Sequence, residues 1–160
     1  PGIGKKTGEI LHSQGIMKVI DAKKLSKEEL QEIFGIRSDT LYERLRGRDD
    51  SPVVSFRETK SLGREHTFEQ DTRDAEQLFE VFEALISRVY EDLIAQEFSF
   101  RTITVVCRFQ GFETHTKAKT FDITNDKAFT IKEAKKLLLR FLVENTKPVR
   151  LIGVRLSGIS

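Results

Sequence analysis

Pro1-Gly2-Ile3-Gly4-Lys5-Lys6-Thr7 opens the chain, and this Gly-x-Gly turn runs directly into a basic helix start. Glycine has no side chain, so the main-chain N–H groups of such a turn approach an anion closely. The first turn of the helix adds unpaired N–H donors and the positive end of the helix dipole. The stretch therefore predicts a main-chain cradle for phosphate.

The spacing in this stretch decides which kind of phosphate motif it is. A nucleotide-binding P-loop has the pattern G-x-x-x-x-G-K-[ST] after a strand, and the dinucleotide fingerprint needs a third glycine where this chain has Thr7. The remaining pattern, P-G-I-G-x-x-T, is that of a helix-hairpin-helix, whose main-chain amides hold the DNA backbone regardless of base sequence. We expect the DNA contacts of this motif at Gly2, Gly4, Lys5, Lys6 and Thr7.

The composition excludes several other classes. The 160 residues carry a net charge of +2, so the protein as a whole has no strong basic field. One cysteine, Cys107, rules out a disulfide framework, and it lies in an alternating strand pattern that predicts a small buried side chain. Three scattered histidines give no zinc-ligand spacing, and no apolar run is long enough for a membrane span. We expect a cytoplasmic protein with no bound metal and no membrane contact.

The first 48 residues predict a small all-α unit. A helix is expected from Lys5 to Ser13, and Ser26-Lys27-Glu28-Glu29 is a capping box that begins a second helix ending at Gly35. Ser38 is expected to cap a third helix, which ends at Gly47. Residues 49–53, a polar stretch containing Pro52, predict a linker.

Residues 54–160 predict an α+β domain. Strands are expected at 53–67, 100–110, 113–121 and 149–157, with a long helix at 72–95 and a second helix begun by a capping box at Thr130–Glu133. The order is β-α-β-β-α-β, as in ferredoxin-like folds. Both helices then cover one face of a four-stranded sheet and leave the other face open.

Charge is segregated within this domain. The strand segments contain nine lysines and arginines against three acids, whereas residues 69–97, which include the first helix, contain two against nine. The open face of the sheet is therefore predicted to be basic, with Ser61, Thr67, Lys117, Lys119 and Arg155 on it and with Gly63 and Gly153 allowing a phosphate backbone to approach. Such a face makes phosphate contacts, which position a duplex without reading its sequence.

Three stretches make the chain resemble the C-terminal part of Y-family DNA polymerases, the DNA polymerase IV (DinB) branch. They are Pro1–Thr7, the strand Arg57-Glu58-Thr59-Lys60-Ser61-Leu62-Gly63-Arg64, and the final Leu151-Ile152-Gly153-Val154-Arg155-Leu156-Ser157. The resemblance covers essentially all 160 residues. It implies that residues 1–48 are a thumb domain and that residues 54–160 are the little finger, with primer–template duplex DNA as the partner.

The resemblance also implies which residues of the little finger contact the DNA backbone. These are Lys60, Ser61, Gly63, Arg64, Thr67, Lys117, Lys119, Arg150 and Arg155. We expect Lys60, Arg64, Lys119 and Arg155 to share one surface. Two positions depart from the family pattern: Glu65 replaces an apolar residue, and Leu151 stands where some relatives have a second arginine.

By the same resemblance, catalysis belongs to palm carboxylates that hold two Mg²⁺ ions and that lie upstream in the family. The chain is therefore expected to be a fragment of a longer polymerase, monomeric, with no catalytic residue, no cofactor and no activity of its own. A sliding clamp is a partner of many relatives, but the clamp-docking peptide that would follow Ser160 is not in this sequence. No pair of acids here suits the catalytic role.

Two alternatives remain open at this stage. The chain could be a stand-alone helix-hairpin-helix adaptor whose α+β domain binds protein or RNA, although the sheet lacks the aromatic pair that RNA-recognition sheets use for stacking. An independent enzyme has little support, because the sequence shows no nucleophile–base pair and no metal cluster. Loss of DNA binding on replacing Lys60, Arg64 and Arg155 would separate the first alternative from the polymerase hypothesis.

Overall fold

A computed structural model describes residues 3–55 and 57–160. The chain divides into two compact units, Pro1–Phe56 and Arg57–Ser160. The predicted bounds of the thumb-like domain, linker and little finger stay a prediction. Gly2, one of the predicted phosphate contacts, lies outside the described residues. Within those residues, no helix has both the length and the apolar character needed to cross a membrane.

The first unit is helical, as predicted. It contains α1 (Lys5–Ser13), α2 (Val19–Ala22), α3 (Lys27–Phe34), a 3₁₀ turn (Gly35–Arg37) and α4 (Ser38–Leu45). The capping box of α3 is formed: the Ser26 hydroxyl accepts from the Glu29 amide at 3.1 Å, and the Glu29 carboxylate accepts from the Ser26 amide at 2.7 Å. The small core consists of Leu11, Ile16, Ala22, Leu30 and Leu45.

The start of α4 differs from the prediction. The 3₁₀ turn leads directly into α4, so Arg37 occupies the N-cap position and makes no side-chain cap bond. Ser38 is the first residue of the helix rather than its cap, and it is buried. The short helix α2 was not predicted, because four residues are too few to show a helical period.

The second unit has the predicted β-α-β-β-α-β order. Its elements are β1 (Ser61–Thr72), α5 (Ala75–Ala95), β2 (Phe100–Phe109), β3 (Thr114–Thr124), α6 (Lys127–Glu144) and β4 (Val149–Ser157). The sheet order is β1-β4-β2-β3, and every neighbouring pair is antiparallel. Thus β4 lies between β1 and β2, and β2 lies between β3 and β4. The result is an α+β fold made of two interleaved split β-α-β units.

The core of this unit lies between the sheet and the two helices. The predicted alternation of β2 is confirmed, since Ile103, Val105, Cys107 and Phe109 are all fully buried. Burial raises the pKa of the Cys107 thiol to about 12, so this cysteine behaves as a small apolar side chain. Largest among the fully buried side chains are Phe82, Phe100, Phe109, Leu78, Ile86 and Leu93.

Four element boundaries of this unit were predicted wrongly, and one of them is the end of β3, which lies at Thr124 rather than at 121. The first strand begins at Ser61 rather than at 53, and it extends to Thr72, which was assigned to the helix. Helix α5 begins after Asp74, whose carboxylate accepts from the amides of Glu76 and Gln77. The side-chain cap at Asp74 therefore sets the start of α5, although the helix was expected from residue 72.

The predicted capping box at Thr130–Glu133 is also wrong. Helix α6 begins one turn earlier, where the Asp126 carboxylate accepts from the Phe129 amide at 2.9 Å. Thr130 then lies inside the helix and donates its hydroxyl to the Asp126 carbonyl at 2.6 Å. Glu133 is free to turn toward lysines of the sheet and of its own helix.

Candidate nucleic-acid interface

The sheet has one side that neither α5 nor α6 covers, here called the open face. Its positions follow from the strand register, in which Gly63, Arg155 and Thr104 lie side by side across β1, β4 and β2. The open face consists of Ser61, Gly63, Glu65 and Thr67 of β1, Thr102, Thr104, Val106 and Arg108 of β2, Thr114, Thr116, Ala118 and Thr120 of β3, and Leu151, Gly153, Arg155 and Ser157 of β4.

Hydroxyl groups and small residues dominate the open face. Eight of its sixteen positions are serine or threonine, and three are glycine or alanine. None of the sixteen is aromatic, so the face offers no platform on which a base could stack. Hydroxyls donate hydrogen bonds to phosphate oxygens, and they give such a face phosphate-binding capacity without base readout.

Two arginines and one acid carry the charge of the open face. Arg155 is exposed and forms no ion pair or side-chain hydrogen bond with any other described residue. Arg108 donates from Nε to the Thr114 hydroxyl at 2.8 Å, and it too has no carboxylate partner in the part of the chain that the structure describes. Glu65 is the single acid on this face.

A depression of about 440 Å³ lies in the part of this face formed by β1, β4 and β2, and Gly63 is among the residues that line it. Gly153 accommodates the side chain of Glu65, because a Cβ atom there would lie 2.6 Å from the Glu65 Cγ. At Gly63 a Cβ atom would lie 3.0 Å from the Val154 carbonyl oxygen and 3.1 Å from the Arg155 Cβ. Close packing of neighbouring strands therefore requires glycine at both positions, and the approach of a phosphate backbone to them stays a prediction.

Lys117 and Lys119 do not lie on the open face, and that part of the prediction is wrong. In the register they oppose Val105 and Ile103, two core residues, so they lie on the helix-covered side of the edge strand β3. Each lysine Nζ is 2.6 Å from a carboxylate of α6, Lys117 from Glu144 and Lys119 from Glu133. At a sheet edge, long lysines reach past the core to solvent and to these acids.

Arg64 and Arg150 are held by acids too. The Arg64 guanidinium bonds to Asp92 of α5, with Nη2 at 2.6 Å and Nε at 3.1 Å from the same oxygen. Arg150 lies 3.5 Å from the Asp71 carboxylate and 4.5 Å from the centre of the Phe112 ring.

The expected single basic surface is therefore divided. Arg155 and the hydroxyls of Ser61 and Thr67 lie on the open face, whereas Arg64 and Lys119 face the helices. Lys60 precedes β1, is exposed, and pairs with no acid among the described residues.

Glu133 is the most perturbed carboxyl group of this region. Its side chain is only 6% exposed, and it accepts from Lys119 and from Lys136, both at 2.6 Å. The hydrogen bond from Lys119, followed by that from Lys136, lowers the pKa of Glu133 from its ordinary value of 4.5 to about 2. This pair joins β3 to α6 and contributes to the fold rather than to an open binding surface.

The first turn of α1 forms a separate patch on the first unit. Gly4 is its N-cap, no side chain caps the helix, and no acid occurs in the first turn. The amides of that turn have no intrahelical partner, because the nearest carbonyls lie outside the helix. Lys5 and Lys6 are exposed, and Thr7 is half-buried. The local geometry is compatible with the predicted amide cradle.

Arg108 was missed by the sequence-based list of contacts. Its position was readable, since it alternates with the buried residues Cys107 and Phe109 and follows Thr102 and Thr104 on the polar side of β2. What the sequence could not give was its neighbour Leu151, which the register places beside it on β4.

Three acids of the helix start and the linker, Asp74, Asp71 and Asp49, have structural partners. Asp74 caps α5, and Asp71 pairs with Arg150. Asp49 accepts from Arg44 Nε at 3.0 Å and from the Ser51 amide at 3.1 Å. Across residues 3–55 and 57–160, no group of three or more histidines, cysteines and acids is arranged to hold a metal ion.

Comparison with known families matches both units. Residues 59–160 match the family described as the impB/mucB/samB family C-terminal domain, and residues 1–49 match the thumb domain of DNA polymerase iota. The chain is 42% identical over 158 residues to a DNA polymerase IV of Methanoculleus marisnigri and 34% identical to one of Clostridium perfringens. These alignments cover 98% and 99% of this chain but 43% and 44% of the two relatives, so the chain spans less than half of their length.

Solved structures give the same result. A Y-family DNA polymerase chimera, Dbh-Dpo4(243-245)-Dbh, matches with a TM-score of 0.81 at 29% identity over 99% of this chain and 46% of its own. A post-insertion binary complex of Dbh DNA polymerase matches with a TM-score of 0.56 at 27% identity, with the same coverage. DinB from Sulfolobus solfataricus matches with a TM-score of 0.55 at 27% identity, over 98% of this chain and 46% of its own.

Proposed function

We infer function from one premise, that this chain belongs to the impB/mucB/samB family of Y-family DNA polymerases, of the DNA polymerase IV type. It is a DNA-binding part of such a polymerase. We propose that it holds the primer–template duplex by contacts to the sugar-phosphate backbone that ignore base sequence. In the whole polymerase this grip would serve synthesis past damaged template bases.

The open face carries this proposal. It combines eight hydroxyl side chains, two arginines without a carboxylate partner among the described residues, and three positions occupied by glycine or alanine. Each of these features suits phosphate oxygens and deoxyribose, and the absence of aromatic side chains from the sixteen positions disfavours stacked bases. A surface that does not inspect bases tolerates a chemically altered base in the template.

The first turn of α1 would supply a second backbone contact. Its uncapped amides and the adjacent Lys5 and Lys6 suit a phosphate group of either strand. In this proposal the DNA contacts of the first unit are Gly4, Lys5, Lys6 and Thr7. Those of the second unit are Lys60, Ser61, Gly63, Thr67, Arg108 and Arg155.

Nucleotide addition would belong to the rest of the polymerase and not to this chain. The acids described here serve as caps and ion-pair partners, as for Asp74 and Asp71. Mg²⁺ in the whole enzyme would bind to palm residues outside this sequence. We expect the purified chain to bind primer–template DNA without extending the primer when Mg²⁺ and nucleotides are supplied.

The competing function is an adaptor whose first unit binds DNA and whose second unit binds a protein. The exposed side chains of Phe112 and Val143, at 67% and 76%, are features that a protein partner would use. The two functions differ in one measurable respect. Only the polymerase function requires the open face itself to bind DNA.

Replacement of Arg155 by alanine tests this requirement. Measured by fluorescence anisotropy, the affinity of the chain for duplex DNA should fall steeply with salt, and R155A should weaken binding to all sequences alike. The log–log salt slope should become shallower by about 0.9, the value for one lost phosphate contact.

Lys132 provides the matched control. It is an exposed lysine on α6, on the covered side of the sheet, and it has no ion-pair partner among the described residues. K132A removes the same charge, so it should leave the slope nearly unchanged. Equal losses in R155A and K132A, or binding that does not respond to salt, would contradict the proposed grip.

A further inference from the structure

Arg64 lies on the edge strand β1 next to the open-face depression, and an acid on the helix-covered side holds its guanidinium group. It follows Gly63 and contributes to the lining of the depression together with Ser61 and Arg155, while its side chain extends toward α5. Two of its N–H groups, from Nε and Nη2, donate to one oxygen of Asp92. The Nε–Nη2 edge of the guanidinium is one of those that arginine uses to bind phosphate through two hydrogen bonds.

Exposure distinguishes this pair from the Lys119–Glu133 pair at the opposite edge of the sheet. The side chains of Arg64 and Asp92 are 46% and 41% exposed, whereas the Glu133 partner of Lys119 is 6% exposed. An exposed pair contributes little free energy because water and salt screen it, and a buried partner is costly to leave without its cation. Arg64 can therefore leave Asp92 for another anion at little cost. Lys119 cannot leave Glu133 in this way, because a buried carboxylate would lose its cation.

We propose that Asp92 competes with DNA phosphate for Arg64, so that Arg64 is a phosphate site whose strength the Asp92 carboxylate limits. The inference rests on the proposed function, because it concerns the same duplex-binding role. It assigns to Asp92, an acid on helix α5, a part in setting the affinity for DNA. The chain would thereby hold the duplex firmly enough to position it and still release it as the duplex advances.

Substitution of Asp92 by asparagine separates charge from position. Asparagine keeps an oxygen that accepts from Arg64 but removes the negative charge. If Asp92 competes with phosphate, D92N should tighten duplex binding about two- to fivefold at low salt, the range that the small energy of exposed ion pairs sets. The salt slope should become steeper by about 0.9, because one more phosphate is neutralised.

Glu91→Gln is the matched control, since Glu91 is the exposed neighbour of Asp92 on α5 and has no ion-pair partner in residues 3–55 and 57–160. It removes the same charge one residue away. The gain in E91Q should be less than half of that in D92N, and the gain in D92N should vanish when Arg64 is replaced by alanine as well. Equal gains in D92N and E91Q, a gain that survives R64A, or weaker binding by D92N would each overturn the inference.

A measurement without DNA keeps the inference apart from the proposed function. The Arg64 Nε–H signal can be followed by NMR while inorganic phosphate is added to the wild-type chain and to D92N. D92N should show the larger shift at each phosphate concentration. Equal shifts would overturn the role of Asp92 even if the duplex binds, whereas a larger shift in D92N would support it even if the wild-type chain fails to bind duplex DNA.

Discussion

Glu133 shows how one residue, misassigned by its sequence pattern, determines part of the fold. The sequence suggests a helix cap, but the carboxylate is buried between Lys119 of β3 and Lys136 of its own helix. A buried carboxylate without a cation would be costly, and two lysines satisfy it here. The strand register places Lys119 on the helix-covered side of β3, and Glu133 then binds its ammonium group there. The error about the cap and the error about the DNA surface therefore have separate causes, the first in α6 and the second in the register of β3.

The stability of the second unit should depend on pH through Glu133. Its pKa is about 2 in the folded chain and ordinarily 4.5, so its contribution is complete above about pH 4.5 and is lost as the pH falls toward 2. Glu133→Gln removes this dependence. The difference in the free energy of unfolding between wild type and E133Q should be at most roughly 3.4 kcal/mol near neutral pH, since each unit of pKa corresponds to about 1.4 kcal/mol, and it should shrink between pH 4.5 and 2.

Urea unfolding followed through NMR signals of residues 57–160 measures this difference. Glu113→Gln serves as the comparison, because Glu113 also pairs with a lysine, Lys147, at 2.6 Å, but its side chain is 51% exposed. E113Q should alter the pH dependence much less. A constant difference between E133Q and wild type across this pH range would show that the carboxylate does not carry the effect.

Helix α6 depends on its first turn for its position under the sheet. The Asp126 carboxylate accepts from the Phe129 amide, and Phe129 packs edge-on against Phe121 of β3, with ring centres 4.9 Å apart. The cap thus fixes the turn that brings an aromatic side chain onto the edge strand. Asp126→Ala should destabilise the second unit by about 0.5–2 kcal/mol, the usual cost of losing a side-chain cap.

Asp126→Asn is the appropriate comparison, since asparagine caps a helix about as well as aspartate. Chemical denaturation of both variants, read from the signals of the second unit, should give a large loss for D126A and a small one for D126N. Equal losses would mean that the charge of Asp126, not its cap bond, stabilises the helix.

Elements with a strong apolar period were predictable, and elements at the sheet edges were only partly so. Strand β4 was predicted at 149–157 and is found at Val149–Ser157. Its run of apolar residues predicts a buried strand, and most of its positions are buried. In β3 most positions are exposed, so no alternation of apolar residues indicates which side chains face the helices and which lie on the open face. Phe121 packs against the core and shares its side with Lys119, and this shared parity is the sequence signal that was overlooked.

For the candidate site, the sequence predicts which side of the sheet a residue faces but not which partner it meets there. Arg155 alternates with the core residues Val154 and Leu156, so its exposure on the open side follows from the sequence. Arg64 shares the parity of the buried Phe68, which indicates the helix side. Its partner Asp92 lies 28 positions away, and only the packing of α5 on the sheet brings the two together.

At the scale of the whole chain, the two units differ greatly in the size of their cores. Among the residues that the structure describes, the first has five buried apolar side chains in its core, and the second has twenty in a single cluster. A unit of about fifty residues buries a smaller fraction of its surface than one of about a hundred, so we expect it to be the less stable of the two. Amide hydrogens of α1, α3 and α4 should therefore exchange faster than those of α5, β2 and β4.

Hydrogen exchange measured by NMR at neutral pH tests this expectation residue by residue. Protection in the first unit should correspond to a free energy of opening a few kcal/mol below that of the second, as separate cooperative units produce. Amides such as those of Leu30 and Leu45, which are buried in the small core, give the upper limit for the first unit. The amides of Val105 and Ile152, whose side chains are fully buried in the sheet, give the upper limit of protection for the second unit. Equal protection at these four amides would contradict the expected difference in stability between the two units.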